Sequence, residues 1–227
     1  MEKINEYQAE ILTGSYKLAP KAQQEMIQKL FGSDAEYKYE IYFHWYNIIH
    51  ELGHVIMNFN CVDRPHPAEE EQLVNNFACA YWKFYGELEK LEDVNEIVRD
   101  TLSQFTVPDQ KNVGYMEYAK ENWGTDNFFT FNNYGWFQYN SVLTAIAGMQ
   151  NLEQVLDIMC DGKILPQRSD LFKYKVCDEM PMQIVEEAVK NLKEWGLCLP
   201  KKIEVVFCDD VNLHKCQVEN LKTGEIS

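Results

Sequence analysis

Between Ser33 and Met57 the apolar positions crowd together. Ile41, Phe43, Trp45, Ile48, Ile49, Leu52, Val55 and Ile56 cover most of the circumference of a helix. This spacing predicts a helix buried on nearly every side. "GSDAE" opens it, with Ser33 and Glu36 three residues apart as a capping box requires. The loop "NFNCVDRPHP" breaks the pattern. Leu73, Phe77, Ala80, Tyr81, Phe84, Leu88 and Leu91 then predict a second helix, one face apolar, running through "CAYWKFYGELEKLE" to about Leu91. A shorter helix is expected from about Asn95 to Phe105. A loop-rich aromatic stretch, "NWGTDNFFTFNNYGWFQYN", then leads to a helix from Ser141 to Gln150. "NLEQVLDIMCDG" and "MPMQIVEEAVKNLKEWG" read as helices closed by Gly162 and Gly196, the latter with Pro181 near its start. Only "KKIEVVFC" has the β-branched character of a strand, with a segment around Cys216 to Leu221 as its expected partner across "DDVN". Residues 1–32 read as helix and loop. The expected class is mainly α (α+β), one domain over 227 residues with a small C-terminal β element.

Polar groups inside the first helix need a reason to be there. In "HELGH", His50 and His54 stand four apart, so a helix brings both imidazoles to one face, one turn from each other. That arrangement suits a metal ion, Zn²⁺ above all. Glu51, one residue past the first imidazole, falls beside such an ion rather than on it, where it can take a proton from a bound water. A shuffled chain of this composition would contain H-E-x-x-H about once in a hundred times. Two core histidines and a carboxylate without partners would cost roughly 1–3 kcal/mol each. Gly53 lets another segment come close.

The second helix is the natural source of a third ligand. "EQLVNNFA" places Glu71 and Asn75 on one face while Phe77 turns to the core. Glu71 can bind metal, and Asn75 can brace the far nitrogen of a liganding histidine. Glu69 and Glu70 compete for the same role, since any helix N-terminus favours carboxylates. Glu71 is preferred because it alone has an asparagine four residues on.

At this point the chain resembles a known family, the ImmA/IrrE metallopeptidases, zincins whose third ligand is a glutamate. The family pattern is an H-E-x-x-H helix followed by a helix bearing E-x-x-A-N-x-F-A. This chain has "HELGH" and then "EQLVNNFA", with Val74 in place of the alanine. The likeness spans about Tyr42 to Trp82. It implies a zincin-like core in which the His50/His54 helix packs on the Glu71 helix, with zinc held by His50, His54 and Glu71, Glu51 as general base and Asn75 behind the ligands. It also implies hydrolysis of a peptide bond in a protein or peptide substrate, with limited cleavage of a regulatory protein as the family's habit. The family carries strands ahead of its metal helix and ends its second helix in an apolar stretch before a proline. Neither feature is legible here. The alternative is a non-catalytic metal-binding interaction protein that keeps the zincin site.

Composition narrows the rest. A net charge of -15 with no basic block excludes direct nucleic-acid binding. No apolar run is long enough for a membrane span, and the N-terminal stretch lacks the pattern of an export signal, so a cytoplasmic location is expected. Seven cysteines without a C-x-x-C pair fit reduced thiols. Tyr134, Tyr139 and His214 are candidate donors to a developing oxyanion. The ring-rich run from Phe128 to Tyr139 is a candidate cleft wall. Cys208, His214 and Cys216 lack a standard zinc spacing, and His44 and His66 are expected to be structural or exposed.

Overall fold

A single unbroken helical rod carries the motif. The computed structural model of the chain describes residues 7–108, 113–148, 150–160, 162, 164–167, 179–208 and 217–222. In it, α1 (Lys21–Phe31) precedes the rod, in which α2 (Ala35–Tyr39) passes through a π-helical stretch (Glu40–Tyr46) into α3 (Asn47–Asn60). Every residue of the π stretch is buried, as the all-round apolar pattern predicts. The wider turn rotates the faces of α2 relative to α3. The expected capping box does not form. Asp34, left-handed at φ 61°, occupies the cap, so Glu36 stands two residues on instead of three and the reciprocal bond is out of register. Glu36 instead pairs with Lys17 at 3.3 Å.

The N-terminal segment corrects the sequence reading. Tyr7–Gly14 is a strand, β1, with Ala9, Ile11 and Thr13 buried at every second position. It pairs in parallel with β2 (Lys202–Cys208), Ile11 opposite Val205. On its other side it pairs antiparallel with β3 (Gln217–Lys222), Ile11 opposite Val218. The sheet order is therefore β2-β1-β3, and the expected hairpin between the last two strands is replaced by β1 inserted between them. His44 fastens this sheet to the rod: it pairs with Glu40 through Nδ1 and donates from Nε2 to the Gly14 carbonyl at 2.7 Å.

The second predicted helix is two helices. α4 (Pro67–Tyr85) starts at His66, whose Nδ1 accepts from Ala68 N–H at 3.2 Å, and ends where Gly86 turns left-handed at φ 84°. α5 (Leu88–Leu102) then sets off afresh, absorbing the helix expected from Asn95. α6 (Tyr115–Asn122) was not anticipated, and α7 (Phe131–Gly148) begins ten residues before the expected Ser141. α8 (Leu152–Met159) and α9 (Met180–Glu194) complete a mainly helical chain. Among the described residues no helix is long and apolar enough to cross a membrane.

Two packing features position the site. Trp45 and Trp82 stack at 4.3 Å between ring centres, locking the rod to α4. About two turns along, α3 and α4 touch backbone to side chain. A Cβ on Gly53 would stand 2.9 Å from both Cβ and Cγ1 of Val74. Gly53→Ala is therefore expected to destabilise the chain by about 1–3 kcal/mol through overpacking. In the Gly53→Ala background, Val74→Ala should restore part of that loss, a non-additivity that urea unfolding of the two single variants and the double variant measures.

Candidate metal centre

α3 and α4 run antiparallel, so advancing from His50 to His54 on one means retreating from Asn75 to Glu70 on the other. That geometry brings the two imidazoles over Glu71. Glu71 Oε2 lies 3.2 Å from His50 Nε2 and 3.7 Å from His54 Nε2. One ligand atom from each of the three residues lies within 4.8 Å of the other two. Atoms each about 2.0–2.1 Å from one tetrahedral ion stand about 3.3–3.4 Å apart, close to both distances.

The far nitrogens decide whether the near ones are available. His50 Nδ1 donates to Asn75 Oδ1 at 2.9 Å. Asn75 is itself oriented, because its amide donates to Ser141 Oγ at 3.0 Å and to Gln138 Oε1 at 3.3 Å while Tyr46 donates to its oxygen at 3.0 Å. His54 Nδ1 donates to Glu70 Oε1 at 2.7 Å. In the neutral ring each Nε2 then carries a lone pair facing Glu71, the tautomer a metal ligand needs. The donor set fits a divalent cation.

Glu70 has a role that sequence reasoning missed. Considered only as a rival to Glu71, it turns the other way and braces His54, with Arg64 Nε donating to its Oε2 at 2.8 Å. The signal available was its position one before the third ligand on an antiparallel helix. Glu69 points outward to Lys120. Two further supports were overlooked. Asn47 Nδ2 donates to Glu51 Oε1 at 3.2 Å, and Gln138 Nε2 donates to Glu71 Oε2 at 2.7 Å. Asn47 was legible in principle, standing four residues before Glu51 on the same helix face.

An open cleft of about 370 Å³ reaches the centre, and His50, Glu51, His54 and Glu71 face into it. Of the oxyanion candidates, Tyr134 comes into the site, its hydroxyl 3.4 Å from Glu71 Oε1. Tyr139 lines the cleft, and His214 lies outside the described residues, as does Cys216. Phe129, Phe131, Tyr134 and Tyr139 from the aromatic run stand in the cleft wall, whereas Phe128 and Phe137 are buried in a small second core with Ala68, Tyr118 and Ala119. His44 and His66 take the structural roles described above.

Burial raises the Glu51 carboxyl to about 7, against the pull of His50 and His54. Burial alone would lower His54, but Glu71, helped by the Glu70 hydrogen bond, raises it to about 10. Burial would raise Glu71, yet the charge of His54 and the hydrogen bond from His50 hold it well below the usual carboxylate range. Without a cation, the His54 imidazole therefore carries a second proton at neutral pH. It stabilises the metal-free fold fully below about pH 6.5, and that contribution fades as pH rises through about 10. Because a metal must expel this proton, zinc binding at pH 7 is expected to release about one proton. Affinity should rise about tenfold per pH unit until the release saturates near pH 10. Calorimetry in buffers of different ionisation enthalpy measures the release directly.

No family model, curated protein or solved structure matches the chain.

Proposed function

We propose that the chain is a zinc-dependent metallopeptidase with a zincin-like centre. His50, His54 and Glu71 hold the ion and Glu51 moves the proton. The observation that carries this reading is the buried Glu51, tied to Asn47 and adjacent to a ligand, at the head of an open cleft. A cation bound there would supply Lewis acidity, polarising a carbonyl oxygen and bringing the pKa of a water from 15.7 to about 7. Glu51 takes one proton from the attacking water, whose oxygen adds to the carbonyl carbon of the peptide. As the C–N bond breaks, Glu51 returns that proton to the departing nitrogen, leaving a carboxylic acid and an amine. A carboxylate that accepts a proton and gives it back at this position does both.

Tyr134 donates to the carbonyl oxygen as negative charge builds on it. Burial and the Glu71 charge push its hydroxyl well above the ordinary tyrosine value, so it keeps its proton under neutral conditions. A metal that only stapled the fold would be closed on all sides by protein, whereas catalytic sites keep one position open. The open cleft therefore favours catalysis over a purely structural or sensing role. The local resemblance to ImmA/IrrE peptidases supports the same assignment and suggests restricted cleavage of a protein partner. The test is to load the protein with zinc, confirm about one ion per chain by elemental analysis, and search for cuts in a diverse peptide mixture by mass spectrometry. Zinc-dependent cuts support the proposal. An intact mixture with zinc bound would favour the non-catalytic alternative.

A further inference from the structure

The cleft does not end at the ligands. Phe43, Asn47 and Glu51 follow one another along the rod at four-residue steps, and all three line the cleft, so an aromatic ring lies on the same wall as the base. From there a contiguous set of rings extends away from it. Tyr42 meets Phe43 at 4.8 Å and Tyr139 at 5.2 Å, Phe105 stacks on Tyr139 at 5.6 Å with planes 19° apart, and Phe131 meets Phe105 edge-on at 5.3 Å. Gly135 makes room for this set: a Cβ there would stand 2.9 Å from the Phe105 ring. These rings come from the rod, from the turn after α5 and from α7, so three separate parts of the chain converge to build the recess.

Its electrostatics are equally specific. Arg64 is the only lysine or arginine among the described cleft residues, and Glu70 and Asn58 already engage it. Glu51 and Glu71 are the carboxylates of the lining, and both belong to the metal centre. A charged side chain entering the ring-lined part would leave water and find no partner. An apolar one would gain from burial. The volume, near the lower end for ligand pockets, suits one large side chain with its peptide flanks better than a folded segment.

We infer that this recess takes a large uncharged apolar side chain, phenylalanine or leucine, from a residue flanking the bond to be cut, a statement that rests on the peptidase reading above. The first test uses internally quenched peptides carrying Phe, Leu, Ala, Asp or Lys on either side of the scissile bond. On one side, kcat/KM for Phe or Leu should exceed that for Ala by about 10- to 100-fold, with Asp and Lys lower still. A flat profile on both sides overturns the inference and leaves the peptidase reading standing.

The second test needs no turnover. Zinc-loaded Glu51→Gln protein is titrated calorimetrically with two succinyl hydroxamates that differ only in a benzyl or a methyl side chain. The benzyl compound should bind about 10- to 100-fold more tightly, and Phe105→Ala should shrink that ratio below about threefold. Phe131→Ala, a change at the half-buried first residue of α7, provides the same readout if Phe105→Ala fails to fold. A benzyl preference in the Glu51→Gln protein, where the zinc-loaded parent protein cuts no peptide, supports the recess while removing the peptidase. Equal binding of the two compounds, or binding of neither, overturns the recess.

Discussion

Glu51→Gln protein is expected to take up one zinc ion per chain, as the parent does, and to hydrolyse peptide with kcat/KM about 10²- to 10⁴-fold lower. The two halves of that result separate the roles of neighbouring side chains. Glutamine preserves the size of Glu51 and an oxygen for the Asn47 donor at 3.2 Å. The ligands His50, His54 and Glu71 keep their own supports in Asn75, Glu70 and Gln138. Nothing that holds the ion has been removed. What has been removed is the only described carboxylate in the cleft, apart from the third ligand, that can accept a proton and give it back. The measurement is elemental analysis beside steady-state kinetics on one quenched peptide. Equal rates in parent and variant would exclude Glu51 as the base and, with it, the mechanism proposed above.

The second large effect belongs to Glu71. Replacing it with glutamine keeps the acceptor for Gln138 but removes the charge that faces both imidazoles. A structural zinc contributes about 10–16 kcal/mol over its ligands, so one of four accounts for about 2.5–4 kcal/mol, or about 10²- to 10³-fold in affinity. The proton on His54 also loses its main partner, which relieves part of the competition with the metal and pulls the loss toward the lower figure. At zinc concentrations near 1,000 times the parent's Kd, the parent gains about 4.1 kcal/mol of stability, whereas a variant weakened 10²- to 10³-fold gains about 1.4 to 0.4 kcal/mol. Thermal melts with and without zinc read this difference. Glu70→Gln is the control, since it weakens the brace on His54 without removing a ligand and is expected to cost only about 10- to 100-fold. If the two variants exchanged behaviour, Glu70 would be the third ligand.

The convergence of His50, His54, Glu71 and Asn75 was legible because a helix fixes what four residues of separation means, and both helices are long enough to hold that relation. Glu70 escaped because its role depends on which way an antiparallel neighbour faces and on Arg64 reaching in from a loop. Neither relation has a fixed spacing. β1 escaped for a different reason. "QAEILT" has only three inward positions and mixes strand formers with good helix formers, and the strands that stabilise it come from the far end of the chain. The start of α7 was hidden by "FNNYGWFQYN", where rings face both the second core and the cleft and no single apolar face appears. The end of α4 at Gly86 escaped because the apolar steps continue past it to Leu91.

The position of β1 also bears on the order in which the molecule can be assembled. Its hydrogen-bonded neighbours are far along the chain, Val205 and Val218 standing opposite Ile11, so during synthesis its backbone donors and acceptors must wait until those residues have left the ribosome. α3 and α4, separated by a short loop, can meet long before that. Contacts between distant parts of a chain are slow to close, so a late step that joins β1 to β2 and β3 is expected after the helical portion has already gathered around its histidines.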